Sequence, residues 1–267
     1  MTSDTTAASV DPFVLTTRAN GVATLTLNRP DRFNTLSSQM IAALHGELTS
    51  VAQDPSVRVV VLAAHGRGFC AGHDLKEMRA HADDEDWQRQ LFDDCSRMML
   101  AITNLPQPVV ARVHGIATAA GCQLVSMCDL AVAADSATFA MPGVNIGLFC
   151  STPAVGVARN IGRKRAMQML LTGDAIDAQT AHAWGLVNQV VPAHDLDGAL
   201  HYWVDKILSR SAAAIRIGKQ TFYRQIDRSI DAAYGIATEA MTANAVLKDA
   251  AEGMDAFLLK RPPKWSG

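Results

Sequence analysis

The sequence lacks the cysteine pattern of a disulfide scaffold or a zinc module. Its five cysteines are odd in number, widely spaced and free of any Cys-x-x-Cys pair. A secreted disulfide framework or a structural zinc site normally needs closely spaced or evenly paired cysteines. We therefore predict reduced thiols and no bound metal.

An excess of charge of either sign is also missing. The chain has 24 basic and 26 acidic residues, a formal net charge of -2, so nothing in the charge balance favours nucleic acid or an anionic membrane as a partner. It has no charge-free run long enough to span a bilayer, and residues 1–12 show neither a signal peptide nor an Arg-rich mitochondrial leader. These absences predict no nucleic-acid or membrane partner and a cytoplasmic location.

What the sequence has is a hydrophobic content of 49% over 267 residues, enough for a sizeable core. Asn20-Gly21 joins two alternating stretches at 13–17 and 22–27, the pattern of a β-hairpin. Strand and helix patterns then alternate: a helix from Ser37 or Ser38 to Gln53, a strand at 57–62, a helix at 83–104, a strand at 109–113, a helix at 121–129, a strand at 130–134 and an extended piece at 139–142. This alternation favours an α/β core with parallel strands.

Helical patterns dominate the second half of the chain. We predict helices at 152–160, 163–171, 178–184, 195–209, 212–226 and 230–258, with one extended stretch at 186–191. The segment 234–247 has a broad apolar face, which predicts self-association. We divide the chain into a flexible leader at 1–11, an α/β core at 12–194 and a helical C-terminal region at 195–267.

Two loops rich in small residues each follow a buried strand. The first is His-Gly-Arg-Gly-Phe-Cys-Ala-Gly-His-Asp-Leu at 65–75, and the second is Gly-Ile-Ala-Thr-Ala-Ala-Gly-Cys-Gln-Leu at 115–124, which runs into a helix. Small residues let a ligand approach the backbone, and a helix N-terminus offers free N–H groups to an oxygen that becomes anionic. Either loop alone is also typical of a tight turn. Together they favour an oxyanion hole.

These loops, with several other segments, resemble the crotonase (enoyl-CoA hydratase/isomerase) superfamily. The matching segments are Asn28-Arg29-Pro30, Asn34-Thr35-Leu36, Phe69-Cys70-Ala71-Gly72-His73-Asp74-Leu75, Gly121-Cys122-Gln123-Leu124, Met127-Cys128-Asp129, Leu171-Thr172-Gly173-Asp174, Gly185-Leu186-Val187, Glu252-Gly253-Met254 and Lys260-Arg261. The resemblance implies an α/β fold, a crotonase-type spiral of ββα units with a helical C-terminal trimerisation region that completes the CoA site. A homotrimer or hexamer is the expected assembly.

The resemblance also implies functional residues. The backbone N–H groups of Ala71 and Ala120 would hold the thioester oxygen of an acyl-CoA or enoyl-CoA substrate, with no cofactor beyond its coenzyme A moiety. The residues implied in CoA binding are Ala71, Gly72, His73 and Asp74 on the first loop, together with Arg29, Arg32 and, from a neighbouring subunit, Lys260.

The chain departs from the family at both glutamates that handle protons in a hydratase. These positions hold Gln123, whose amide can orient water but cannot take its proton, and Gly143, which has no side chain. In other members a catalytic aspartate aligns at Ser151. Here Ser151 could position water, or simply cap the helix that follows it.

Three functions stay open from the sequence. The nominal one is a lyase of fatty acid metabolism that hydrates trans-2-enoyl-CoA to 3-hydroxyacyl-CoA. The second is an acyl-CoA-binding protein without turnover, and the third is a thioesterase or isomerase that uses other groups. His73 and Asp74 could form an acid/base pair, although the resemblance gives Asp74 a role in loop structure.

Overall fold

The computed structural model describes residues 11–266, so the predicted leader at 1–11 lies, except for Asp11, outside the described residues. The strands are β1 Val14–Ala19, β2 Val22–Leu27, β3 Val59–Ala64, β4 Gly68–Cys70, β5 Val109–Val113, β6 Ile116–Thr118, β7 Leu130–Ala134, β8 Thr138–Ala140, β9 Ile176–Asp177 and β10 Gln189–Val191. The helices are α1 Ser38–Ala52, α2 Leu75–Ala80, α3 Glu85–Asn104, α4 Ala120–Met127, α5 Ser151–Ile161, α6 Arg163–Thr172, α7 Ala178–Trp184, α8 Leu196–Leu208, α9 Ala212–Gln225, α10 Ile230–Ala245 and α11 Lys248–Leu258.

The strands form two sheets that the chain visits alternately. The larger has the order β1-β2-β3-β5-β7-β10 and the smaller β4-β6-β8-β9. Three successive turns of the chain, β3-β4-α2, β5-β6-α4 and β7-β8-α5, each add one strand to the large sheet, the next strand to the small sheet, and then a helix. All pairings are parallel except β1 with β2 and β8 with β9. The predicted α/β spiral of ββα units is confirmed.

Local signals in the sequence correspond to local structure. Asn20 and Gly21 adopt φ of 52° and 79°, the left-handed values that a tight hairpin turn requires. Ser37 caps α1, because its side chain accepts a hydrogen bond from the Met40 N–H at 3.2 Å. Asp84 caps the long helix α3 in the same way, with its carboxylate 2.9 Å from the Trp87 N.

The predicted helix at 230–258 is wrong in one respect, since it is two helices. α10 ends before Val246, and Leu247 is extended with φ of -73° and ψ of 151° before α11 begins. No glycine or proline marks this break in the sequence. The short strand β6 and the short helix α2 were not predicted either.

The C-terminal helices attach to the core in two different ways. α8 buries Leu196, Leu200 and Val204 against valines of the large sheet, among them Val59 and Val132. By contrast, α10 has no buried residue in the described protomer, and its Tyr234 is 70% exposed. Such an apolar surface agrees with self-association, and trimerisation stays a prediction. No helix in the described part of the chain is long and apolar enough to cross a membrane.

A buried polar cluster fixes α9 to the core. The Lys219 Nζ donates to Asp129 Oδ2 at 2.6 Å and to the carbonyl oxygens of Ile102 and Gln107 at 2.9 Å each. The Tyr223 hydroxyl donates to the other Asp129 oxygen at 2.9 Å. Burial lowers the pKa of Lys219, and the Asp129 carboxylate counteracts that effect. Loss of either charged partner would leave the other buried and unpaired, which is strongly destabilising.

Candidate active site

The two small-residue loops meet backbone to backbone. Gly72 has φ of 89°, and a Cβ atom there would lie 2.9 Å from Ala119 Cβ and 3.4 Å from the Ala120 N. At Gly121 a Cβ would lie only 2.0 Å from the Cys70 carbonyl oxygen. Any side chain at these positions would force the loops apart. The glycines are therefore required for the contact between the loops.

The buried side chain of Asn34 holds the first loop in place through hydrogen bonds to the backbone. Asn34 Nδ2 donates to the carbonyl oxygens of His65 at 2.9 Å and Gly68 at 3.0 Å, while its Oδ1 accepts from the Arg29 N–H at 2.8 Å. Both Phe33 and Asn34 have left-handed φ values, 51° and 54°. This turn aims the Phe33 carbonyl oxygen at the Ala71 N–H, which donates to it at 3.0 Å.

In the first loop, every N–H group from residue 71 to residue 74 except one faces an acceptor. The Ala71 N–H is bonded to Phe33, the Gly72 N–H faces the Cys70 sulfur, and the Asp74 N–H donates to the Leu36 oxygen at 3.4 Å. Among residues 11–266 the His73 N–H has no acceptor. This differs from the role expected of Ala71, whose N–H is already engaged.

The second loop offers a matching donor. Ala119 has φ of 49° and ψ of -119°, which is unusual for a residue with a Cβ. This conformation starts α4 at Ala120, whose N–H is unpaired within the described structure, as the first N–H groups of a helix are. Since Gly72 lies against Ala119 and the Ala120 N, the free N–H groups of His73 and Ala120 belong to adjoining pieces of backbone. Such a pair can hold one oxygen atom from outside.

Beside these donors lies a cavity of about 430 Å³. The two loops contribute Ala71, His73 and Ala119 to its wall, and helices α2 and α3 contribute Leu75, Met78 and Phe92. The rest of the wall consists of residues 142, 143, 145, 146 and 148–153. The wall is mostly apolar, and none of the described residues that line it is Asp, Glu, Lys or Arg. The cavity suits an uncharged, carbon-rich group.

His73 is the histidine on this wall. Its ring meets the Phe92 ring edge to face, with centroids 5.4 Å apart. Burial lowers the pKa of His73 to about 4, so the imidazole is neutral near pH 7. Its Nε2 is buried and has no hydrogen-bond partner in the part of the chain described.

The Asp74 carboxylate is used elsewhere. It caps α2 by accepting from the Lys76 N at 2.9 Å and the Glu77 N at 3.2 Å, and it lies 3.9 Å from an Arg32 guanidinium nitrogen. This is the loop-structure role implied by the resemblance. His114, just before the second loop, bonds through Nε2 to the Gly66 oxygen at 2.8 Å and does not line the cavity.

Gln123 and Gly143, the positions at which the resemblance implies the family's glutamates, differ in what they could do. Gln123 is 4% exposed, and its Oε1 has no partner in the described structure. It sits on α4 one turn after Ala120 and is not part of the cavity wall. Gly143 is on the wall, but a Cβ there would lie 2.9 Å from both the Cys150 Sγ and the Leu148 oxygen. The turn at 142–150 thus occupies the space of a side chain.

Ser151 lines the cavity and is exposed. It is the first residue of α5 rather than its cap, and its hydroxyl donates to the Phe149 oxygen at 3.3 Å. The capping role considered for Ser151 is therefore wrong, because the chain enters the helix at Cys150. Cys150 and Cys122 are buried, and burial raises the pKa of both thiols.

The candidate phosphate-binding cations are not equivalent. Arg29 donates to the carbonyl oxygens at 11, 12 and 28 at 2.6 to 3.1 Å, and its guanidinium lies 3.7 Å above the Phe13 ring. Arg32 is largely exposed and lines a second cavity of about 640 Å³. Arg29 and Lys76 line the same cavity, together with the carboxylates of Asp31, Asp74 and Glu77. Lys260 is exposed after α11 and is on the wall of neither cavity.

Sequence reasoning missed Lys76, Met78 and Phe92. Leu75 and Met78 are three residues apart, as on one face of a helix, while Lys76 falls on another face. This helical spacing is the signal in the sequence that could have identified Met78 and Lys76. A group of three side chains able to hold a metal does not occur among the residues that the structure covers.

Comparison with known proteins supports the resemblance. The family model for enoyl-CoA hydratase/isomerase matches residues 17–267. The chain is 44% identical over 257 residues to rat (Rattus norvegicus) "Enoyl-CoA hydratase domain-containing protein 3, mitochondrial", which covers 96% of this chain and 85% of the relative. A crystal structure of enoyl-CoA hydratase from Mycobacterium smegmatis superposes with a TM-score of 0.94 at 53% identity, covering 96% of this chain and 100% of that one. The human enoyl coenzyme A hydratase domain-containing protein 3 structure gives 0.91 at 42% identity, with 95% and 100% covered.

The prediction of a cytoplasmic location is contradicted by these relatives. The rat, mouse and human proteins, at 43 to 44% identity, are all named as mitochondrial. The prediction depended on the composition of residues 1–12 and on the absence of a charge-free run long enough to span a bilayer. Composition of this kind does not determine where a protein resides.

Proposed function

Because the chain belongs to the enoyl-CoA hydratase/isomerase family, we propose that it binds an acyl-CoA or enoyl-CoA thioester. The thioester oxygen accepts hydrogen bonds from the N–H groups of His73 and Ala120. This assignment replaces Ala71 by His73, since the Ala71 N–H is bonded to Phe33. The unpaired N–H groups beside an apolar cavity are the observation that carries the proposal. Such donors stabilise an enolate oxygen where water is excluded.

The coenzyme A part extends from the first loop towards the second cavity. The backbone from Gly72 to Asp74 contacts the adenine and pantetheine, and Arg32 with Lys76 meets the phosphates. Arg29 instead holds the chain at 11–13, because its donors are used there. Lys260 contacts phosphate only from a neighbouring subunit of the trimer or hexamer.

Hydration of trans-2-enoyl-CoA is the nominal reaction, with Gln123 and Ser151 orienting water or substrate. A single positioned acid or base contributes about 10²- to 10⁴-fold to a rate, so hydration without the two glutamates is slow. A second candidate is acyl-CoA binding without turnover. It is favoured by Gly143, where Leu148 and Cys150 leave no space for a catalytic side chain.

The first test measures binding and turnover on the same preparation. Calorimetry with CoA and butyryl-CoA reports binding, while loss of the conjugated thioester absorbance of crotonyl-CoA, with product identification, reports hydration. Hydration that falls in Gln123→Ala and Ser151→Ala supports the nominal reaction. Tight binding without any product supports the binding protein, and absence of binding rejects both candidates.

The donor N–H of Ala120 can be tested separately. Ala120 is the first residue of α4, a position where proline is tolerated because that N–H makes no helical bond. Ala120→Pro therefore deletes one donor, and turnover should fall by about 10²- to 10³-fold while the affinity for free CoA is kept. Ala212→Pro, at the first residue of α9, is the matched control for the effect of proline on folding. Unchanged turnover in Ala120→Pro would exclude this N–H as a donor.

A further inference from the structure

Large apolar side chains on the cavity wall are exposed to solvent. They are Leu75 on α2 and Ile146, Leu148 and Phe149 on the segment between β8 and α5, each about half exposed. Exposed apolar side chains gathered in one place cost hydrophobic free energy, and such a cluster usually marks a surface that a ligand or partner covers. This exposed apolar cluster lines the cavity beside the free N–H groups described above.

The backbone of the segment 142–149 presents three members of the cluster to the cavity. Residues 142–146 form a 3₁₀ turn that ends at Gly147, whose φ of 76° is left-handed. The Leu148 N–H then donates back to the Gly143 oxygen at 2.9 Å. Because the chain folds back here, Ile146 before Gly147 and Leu148 after it both line the cavity.

The polar side chains on the wall offer no positive charge. Among the described lining residues they are His73, Asn145, Ser151 and Thr152, besides the thiol of Cys150. A Cβ at Gly173 would lie 2.9 Å from both amide atoms of Asn145, so this amide is packed against Gly173. The Ser151 hydroxyl donates to the Phe149 oxygen. The lowered pKa of His73 keeps its imidazole neutral near pH 7. A carboxylate in the cavity would therefore lose hydration without gaining a cation.

The cavity volume limits the length of chain that fits. A methylene group is about as large as a water molecule, whose share of liquid volume is about 30 Å³. The cavity of about 430 Å³ therefore has space for on the order of ten such groups. Each methylene that leaves water for this apolar wall raises affinity by up to about fourfold.

We propose that the cavity selects acyl-CoA esters whose acyl chain is uncharged and of medium length, and that Leu148 is a specificity-determining residue. This inference rests on the proposed function, in which the N–H groups of His73 and Ala120 hold the thioester oxygen and so direct the acyl chain into the cavity. The chain covers the exposed apolar cluster. Leu148 belongs to that cluster, and its backbone is fixed by the hydrogen bond to Gly143.

The first test measures the Kd of saturated acyl-CoA esters by calorimetry, since these esters cannot be hydrated. From butyryl-CoA to decanoyl-CoA the affinity should rise by up to about fourfold per methylene. Adipyl-CoA should bind at least about 10²-fold more weakly than hexanoyl-CoA, which has as many acyl carbons and no terminal carboxylate. Equal affinity within either comparison overturns the proposal.

The second test moves the selectivity with one charge. Leu148→Lys places a cation on the wall, so hexanoyl-CoA should bind more weakly, adipyl-CoA more tightly, and the ratio of their Kd values should change by at least about tenfold. Leu100→Lys on α3 is the matched control, because Leu100 is 54% exposed, against 47% for Leu148, and does not line the cavity. It should keep the wild-type ratio, and thermal melts check that both variants are folded.

Two failures are distinguishable. A wild-type ratio in folded Leu148→Lys overturns the role of Leu148 and leaves acyl-CoA binding intact. Failure of the wild type to bind free CoA and every ester overturns the proposed function itself.

Discussion

The loops at 65–75 and 115–124 and the segment at 142–153 face the same cavity, but they differ in what their backbone and side chains supply. The loops present main-chain N–H groups that are positioned by Asn34, Gly72 and Gly121. The opposite segment carries no acidic or basic side chain, and its Gly143 is enclosed by Leu148 and Cys150. One side of the cavity thus offers backbone hydrogen-bond donors, and the other offers no carboxylate or amine.

This difference has a physical cause. A backbone donor depends on loop geometry, which several buried contacts determine together, so it survives replacement of individual side chains. A general acid or base depends on one functional group, and a single substitution removes it. Under the proposed function, we therefore expect binding of the thioester and its chemical conversion to be separable.

The largest effect is expected at the contact between the loops. Gly121→Ala places a methyl group 2.0 Å from the Cys70 oxygen, so the free energy of unfolding should fall by more than about 3 kcal/mol and CoA binding should be lost. Gly198→Ala, within α8 and with open space around it, should instead change stability by no more than about 1 kcal/mol, in the stabilising direction. Urea unfolding and calorimetry measure both. Equal stability of the two variants would contradict the importance of the loop contact.

The next effect is a pH dependence that comes from His73. Its pKa is about 4 when folded and about 6.5 when unfolded, so the unfolded chain binds more protons between these values. The free energy of unfolding should therefore decrease as the pH falls from about 6.5 to 4, by on the order of 3 kcal/mol. In His73→Phe this contribution should disappear. Parallel pH profiles of the two proteins in urea unfolding would argue against a buried, neutral imidazole.

A smaller cost is expected on the opposite side of the cavity. Gly143→Glu brings a Cβ to 2.9 Å from the Cys150 Sγ and the Leu148 oxygen, which should destabilise the protein by about 1 to 3 kcal/mol. Hydration should not become faster than in the unmodified protein, even when Gln123→Glu is added, because the new carboxylate cannot occupy the cavity without moving the turn. Gly143→Ala is the control and should lose a similar amount of stability. Rapid hydration by the double variant would show that the segment needs only the missing side chains.

The smallest effect is expected at Ser151. Its hydroxyl is exposed and makes one long hydrogen bond to the Phe149 oxygen, so Ser151→Ala should change the free energy of unfolding by less than about 0.5 kcal/mol. Thermal melts check this. A loss above 1 kcal/mol would mean that the hydroxyl supports the start of α5 after all.

Much of the fold was predictable from local patterns, and the details of the site were not. The Asn20-Gly21 turn, the Ser37 cap and the strand at 109–113 depend on neighbours in sequence, and all three are present. The short strand β6 depends on pairing with β4 and β8, so no local pattern marks it. The break at 246–247 likewise has no glycine or proline signal.

The donor at the first loop shows why distant contacts limit such predictions. The Ala71 N–H is engaged only because Phe33, far away in sequence, turns its carbonyl oxygen towards it. The crowding of Gly143 similarly depends on how the following residues fold back. A family pattern can align a position, but it does not show which N–H group is free or whether a side chain has space.

The five buried thiols can be used to detect local opening of the folded chain. All lie in the interior, and burial raises the pKa of Cys70, Cys95 and Cys122 to about 12. A thiol reagent requires both access and a thiolate. Cys150 lines the cavity, so a reagent that enters the cavity can reach it while the chain is folded. Cys70 and Cys122 lie on the two loops and Cys95 on α3, and none of the three lines the cavity, so they are labelled only after the chain opens. The order in which these three become labelled would show whether the loops open together with α3 or separately.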